Sequence, residues 1–176
     1  MAENPTELEV WQRGPIDGVP PLLQPVAHAL LQAVEDIEKE MAGFPLTLLW
    51  SRPAQVASVG FHLKHARGVV DRLFTYARAE MLSENQMQFL KRETEADDTE
   101  SVEKLVNDFR MQVSLAIDQL RTTEEATLNE KRGIGRKQIP TTIAGLLFHA
   151  AEHVQRHVGQ LIVTSRILKS MEKQVP

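Results

Sequence analysis

Residues 149–160 read HAAEHVQRHVGQ and set His149, His153 and His157 at a strict spacing of four. Residues four apart on a helix are neighbours on one face, with Cβ atoms about 5–6 Å apart. Two imidazoles so placed can grip one metal ion, since zinc takes histidine nitrogens at about 2.0–2.1 Å. His149 and His157 are separated by a rise of roughly 12 Å, too far to share an ion. The pair is therefore His149 with His153 or His153 with His157, and His153 belongs to both. The other three histidines are His28, His62 and His65. A site of three imidazoles needs one from another helix, and His62 and His65, three apart, lie near one helical face. Such a site leaves coordination positions open for water or substrate, as catalytic sites do.

Two motifs offer other chemistry. HAAEH matches the inverted zinc-protease pattern H-x-x-E-H, with His149 and His153 as ligands and Glu152 as general base. That pattern needs a further ligand downstream, and the carboxylate that remains, Glu172, lies about 29 Å of helical rise from His153. A di-iron carboxylate site needs Glu-x-x-His pairs on two helices, and the chain has none.

The totals narrow the classes. The 176 residues carry a net charge of −4, which gives no support to a general nucleic-acid binder. With no cysteine, any metal must take nitrogen or oxygen ligands, and a cysteine nucleophile is excluded. The first fifteen residues are acidic and lack the apolar run of a signal peptide. No run of eighteen apolar residues suggests a membrane span. The expectation is a cytoplasmic protein with no membrane and no nucleic-acid partner.

The elements that must carry these histidines follow from apolar spacing. Residues 1–18 hold two prolines and two glycines and read as an irregular arm, with Trp11 as its anchor. Residues 19–176 read as one domain. Leu23, Val26, Ala27, Leu30, Leu31, Val34 and Ile37 recur at helical spacing, and Gly43 and Pro45 end that helix. A second helix is predicted over 53–79, with Ser51 as N-cap and Pro53 in its first turn, interrupted by Gly60 and Gly68. Ser83 with Gln86 makes a capping box for a short helix over 83–93. A third long helix is predicted over 102–121. Residues 122–139 read as a polar, partly basic loop, and a last helix follows from 140–141 to 171. With no strand alternation in view, the expected fold is all-α: a four-helix bundle with a short extra helix and an irregular N-terminal arm.

The segments VGFHLKHARGVVDRL and HVQRHVGQL resemble the DinB-like superfamily. The resemblance covers residues 22–168, and its most recognisable part is His153, His157, Gly159 and Gln160. It implies a four-helix bundle holding a metal by three histidines, one from the second helix and two from the last. By position it implies His65, His153 and His157 as ligands of a divalent transition ion, with zinc, nickel or iron suited to imidazole. His62 is then a spare or alternative ligand. His149 becomes a supporting histidine, hydrogen-bonded to a carboxylate such as Glu152.

The resemblance further implies a metal-dependent hydrolase or a thiol-dependent transferase, acting on a small molecule with, in some relatives, a low-molecular-weight thiol. Fold similarity does not choose the reaction. The alternative is a non-catalytic metal-binding or stress-associated scaffold. Glu152 is the candidate general base. In the basic stretch 131–137, Arg132 and Arg136, with Lys131 and Lys137 beside them, are the candidates for an anionic substrate, and Arg72 and Arg156 are alternatives. The arm's Val10 and Trp11 need apolar cover, which gives the expectation of a homodimer.

Overall fold

Apolar residues recurring every three or four positions form a helix when the stripe they make can be buried. The computed structural model describes residues 8–172. Residues 1–7 of the expected arm and 173–176 at the end of the expected domain lie outside them. The helices are α1 (Gln24–Met41), α2 (Val59–Ala77), α3 (Glu84–Arg92), α4 (Val102–Thr122) and α5 (Ile143–Glu172). α2 lies against α5 and α4, and α1 lies against the same two helices. Their stripes meet in one core that includes Leu30, Ile37, Leu63, Phe74, Phe109, Leu120, Leu147 and Leu161, all buried.

Serine caps the starts of α3 and α4, the first as expected. Ser83 Oγ accepts from Gln86 N–H while the Gln86 side chain accepts from Ser83 N–H, which closes the capping box. Ser101 Oγ accepts from Lys104 N–H at 3.1 Å and starts α4.

Two elements differ from expectation. α2 begins at Val59, not near Pro53, because Ser58 is the N-cap and accepts from Phe61 N–H at 3.2 Å. Pro53–Gln55 forms a separate single turn, where Ala54 (φ 47°) and Gln55 (φ 63°) take left-handed backbone. Residues 131–134 and 139–142 are strand rather than loop and helix start, and α5 begins at Ile143 rather than at 140–141. β1 (Lys131–Ile134) pairs antiparallel with β2 (Ile139–Thr142), in register from Lys131 with Thr142 to Ile134 with Ile139. The chain is thus mostly helical, with a small two-stranded sheet.

Gly60 and Gly68 do not interrupt α2; they let other groups approach it. A Cβ on Gly60 would lie 2.3 Å from the Trp50 ring, so that glycine seats the indole against the helix. The arm is held by Val10, not by Trp11. Val10 is 4 % exposed, and its N–H donates to Gln32 Oε1 on α1, whereas Trp11 is 61 % exposed. Arg13 pairs with Glu35 of α1 at 2.6 Å. His28 Nε2 lies 3.1 Å from Gly14 O, so that histidine fastens the arm.

Candidate metal centre

α2 and α5 pack side by side and face their histidines toward one another. His65 Nε2 lies 3.0 Å from His153 Nε2, and His62 Nδ1 lies 2.9 Å from His157 Nδ1. His65, His153 and His157 each present a nitrogen within 4.8 Å of the other two. Their ring centroids are 4.4 Å apart for His65 and His157, 4.8 Å for His153 and His157, and 5.2 Å for His65 and His153. All three are half-buried. Phe61 stacks on His65 at 5.2 Å and meets His157 edge-on at 6.1 Å, forming an aromatic wall.

The proton on His65 can be placed by chemistry. Its Nδ1 lies 3.0 Å from Glu93 Oε1, and an ionised carboxylate only accepts hydrogen bonds. His65 Nδ1 therefore donates to Glu93, and its Nε2 is turned toward His153. Burial alone would raise the Glu93 pKa. The hydrogen bond from His65 and the Arg72 guanidinium outweigh it and hold the carboxyl below its ordinary value. Arg72 Nη1 reaches Glu93 Oε2 at 3.0 Å and Nη2 reaches Oε1 at 3.4 Å.

Glu93 follows the last turn of α3 and is 4 % exposed. Lys64 on α2 fixes that turn by donating to the carbonyls of Arg92 (2.9 Å) and Glu95 (3.0 Å). A cation at a helix C-terminus is favourably placed. Gly68 completes the fit: a Cβ there would lie 2.5 Å from Arg72 Nη1 and 2.8 Å from Glu93 Oε2.

Burial lowers the pKa of His157 to about 3 and of His62 to about 4, with the neighbouring imidazoles adding to the effect. His153 is lowered in the same way, first by burial and then by His65. His62, His153 and His157 are therefore neutral at pH 7, with lone pairs available. Neutral imidazoles are what a divalent transition ion requires. One ion bound at 2.0–2.1 Å to two such nitrogens sets them about 2.9–3.4 Å apart, and the His65 to His153 spacing of 3.0 Å falls in that range. The donor set fits a metal.

The other sequence candidates lie elsewhere. His149 Nδ1 meets Glu152 Oε1 at 2.6 Å, the carboxylate partner expected for it. Glu152 also accepts two bonds from Arg156 Nη2, at 3.0 and 2.7 Å. Arg156, followed by His149, holds its carboxyl below the ordinary value, which makes it a weak base at neutral pH. His149, Glu152 and His153 also present donors within 4.8 Å of one another. There, however, the Arg156 guanidinium already balances the carboxylate and disfavours a second cation.

Arg132 and Arg136 do not reach the histidines. Arg132 Nε donates to Ala77 O at the end of α2, about 18 Å of helical rise from His65. Arg136 lies against a cavity with Tyr76 and Met81 at that same end. Arg72, an alternative in the sequence reading, is part of the site through Glu93. Glu93 itself carried no sequence signal: it stands 28 residues from His65, at the end of the short helix expected over 83–93. The nearest hint was Gly68, a glycine without an evident turn to make.

The comparisons with known proteins bear on this geometry. The family model described as the DinB superfamily matches residues 23–161. The chain belongs to the DinB superfamily. The matched region holds all four histidines of the cluster, together with Glu93 and Arg72, and leaves out the arm. A crystal structure titled as the conserved protein of locus from Enterococcus faecalis superposes with a TM-score of 0.66. It is 19 % identical, covers 84 % of this chain and 97 % of its own, and so shows the same fold. No curated protein matches the chain. DinB membership and the three-histidine group together fit a metal-binding, enzyme-like fold.

Proposed function

We propose that this DinB-superfamily chain is a four-helix-bundle metalloenzyme in which His65, His153 and His157 hold one divalent transition ion, zinc, nickel or iron. The observation that carries the reading is the convergence of three imidazole nitrogens from two helices within 4.8 Å. The reaction is hydrolysis or thiol-dependent group transfer on a small molecule, with a low-molecular-weight thiol as co-substrate in the second case. A bound ion would lower the pKa of a water or a thiol and so make a nucleophile at neutral pH.

The chain's own groups set up the ligands. Glu93, braced by Arg72, fixes the His65 ring with its Nε2 turned toward His153. A partner on the far nitrogen is the usual way to orient a ligating histidine. His62 plays the matching part for His157. With His157 Nε2 as ligand, its Nδ1–H donates to His62 Nδ1 across 2.9 Å. Phe61 limits water on one side.

The test is turnover. Protein loaded with each metal is offered ester, amide and phosphate substrates, then a thiol with an electrophile. Metal-dependent turnover in one class, lost in His157→Ala, supports the enzyme. A metal-loaded protein inactive across all of them would replace this reading with a non-catalytic metal-binding scaffold.

A further inference from the structure

We propose that the cavity beside His62 is a binding site for the apolar tail of the substrate, which makes the substrate class an amphipathic small molecule: an aliphatic or aryl tail with a polar, metal-seeking head. The head's place rests on the metal reading above; the tail site does not.

The cavity holds about 510 Å³ and lies between the segment before α2 and the outer face of α5. Pockets of about 300–1,000 Å³ take small molecules. Val56, Val163 and Ile167 give it aliphatic walls, and all three are exposed, Val163 to 59 %. Its inner wall is His62, which is hydrogen-bonded to His157, so the cavity adjoins the histidine cluster. Arg156 and Gln160 stand at the polar side.

Gly159 supplies an independent observation. It lies mid-helix in α5, where glycine costs about 1 kcal/mol against alanine. Gly60 and Gly68 have a packing reason, because a Cβ on either would collide with its neighbours. A Cβ on Gly159 would meet nothing within 4 Å. The fold therefore has no use for the missing side chain, and the room it leaves opens into the cavity. A concave, walled space next to the cluster suits a small ligand better than a flat contact with a second copy.

The experiment uses the full chain, metal-loaded and metal-free, with octanohydroxamate as probe and acetohydroxamate as the tail-less control, by titration calorimetry. The longer probe binds about tenfold tighter or more, since a few buried methylenes suffice for that ratio. The preference persists without metal, because the chain alone makes the tail site. Gly159→Leu narrows the cavity and weakens the preference, while metal content and helical circular dichroism stay as in the parent; Val163→Asp weakens it by placing a charge on the apolar wall. If the purified protein takes up no metal, the metal reading fails, yet the tail preference survives. Equal affinity for both probes in the parent overturns the tail site. So does Gly159→Leu leaving the preference intact, and so does a dimer dispersed by Gly159→Leu with probe affinity unchanged.

Discussion

Glu93 carries the most at the scale of single residues. It is buried, it accepts from His65 Nδ1, and it meets both ends of the Arg72 fork. Glu93→Gln keeps the shape but leaves the Arg72 charge without its counter-charge. Removing one partner of a buried ion pair costs about 3–5 kcal/mol, so the midpoint of denaturant unfolding should fall accordingly. A change under about 1 kcal/mol would class the pair with exposed ones. Acid should act on the same cluster. In the unfolded chain a histidine takes a proton below about pH 6.5, but the folded chain keeps His62 neutral down to about 4 and His157 down to about 3. Between those limits the unfolded state binds more protons, so stability rises with pH across the window and is lost as pH falls through it. The depressed carboxyl of Glu93 adds loss in the same direction at the acid end. With metal chelated, the melting temperature should therefore be lower at about pH 5.5 than near neutrality. An equal or higher value at acid pH would mean that these rings are not buried as neutral groups.

Among the elements, α2 depends on close approach. In Gly60→Ala, helix propensity gains about 1 kcal/mol, but the new methyl meets the Trp50 ring at 2.3 Å. Trp50 cannot simply withdraw, because its Nε1–H donates to Asp97 O at 3.1 Å. Overpacking of this kind costs about 1–3 kcal/mol, so net destabilisation is expected in chemical denaturation; a net gain would show that the indole moves freely. The long helices were legible because their stripes repeat over many turns, as in Leu105, Phe109, Val113, Ile117 and Leu120 of α4. The start of α2 was not, because Ser51 and Pro53 imitate a cap and first turn, while the working cap is Ser58. The hairpin escaped because β1 and β2 have four residues each, carry mixed polar residues and include Pro140, so neither presents an alternating apolar face. The three histidines of the candidate site were legible from spacing and resemblance. Glu93 was not, since only the folding of α3 back onto α2 brings it to His65.

At the scale of the whole molecule, the layout separates the ends of the α2–α5 pair. The histidine cluster and its adjoining cavity sit toward the N-terminal part of α2, while Arg132, Arg136 and the hairpin sit at its C-terminal end. Any anionic ligand of the basic hairpin would thus be remote from the cluster. Among the described residues no helix is long and apolar enough to cross a membrane. The described part of the arm lies on α1 of its own chain through Val10 and Arg13, while Trp11 stays exposed. Elemental analysis of purified protein most directly measures whether α2 and α5 jointly form one metal centre. The parent should carry one divalent transition ion per chain. His65→Ala, His153→Ala and His157→Ala should each lose it, with helical content kept, while His149→Ala should retain it. Loss of the ion in His149→Ala together with retention in His65→Ala would move the centre onto α5 alone and contradict the account.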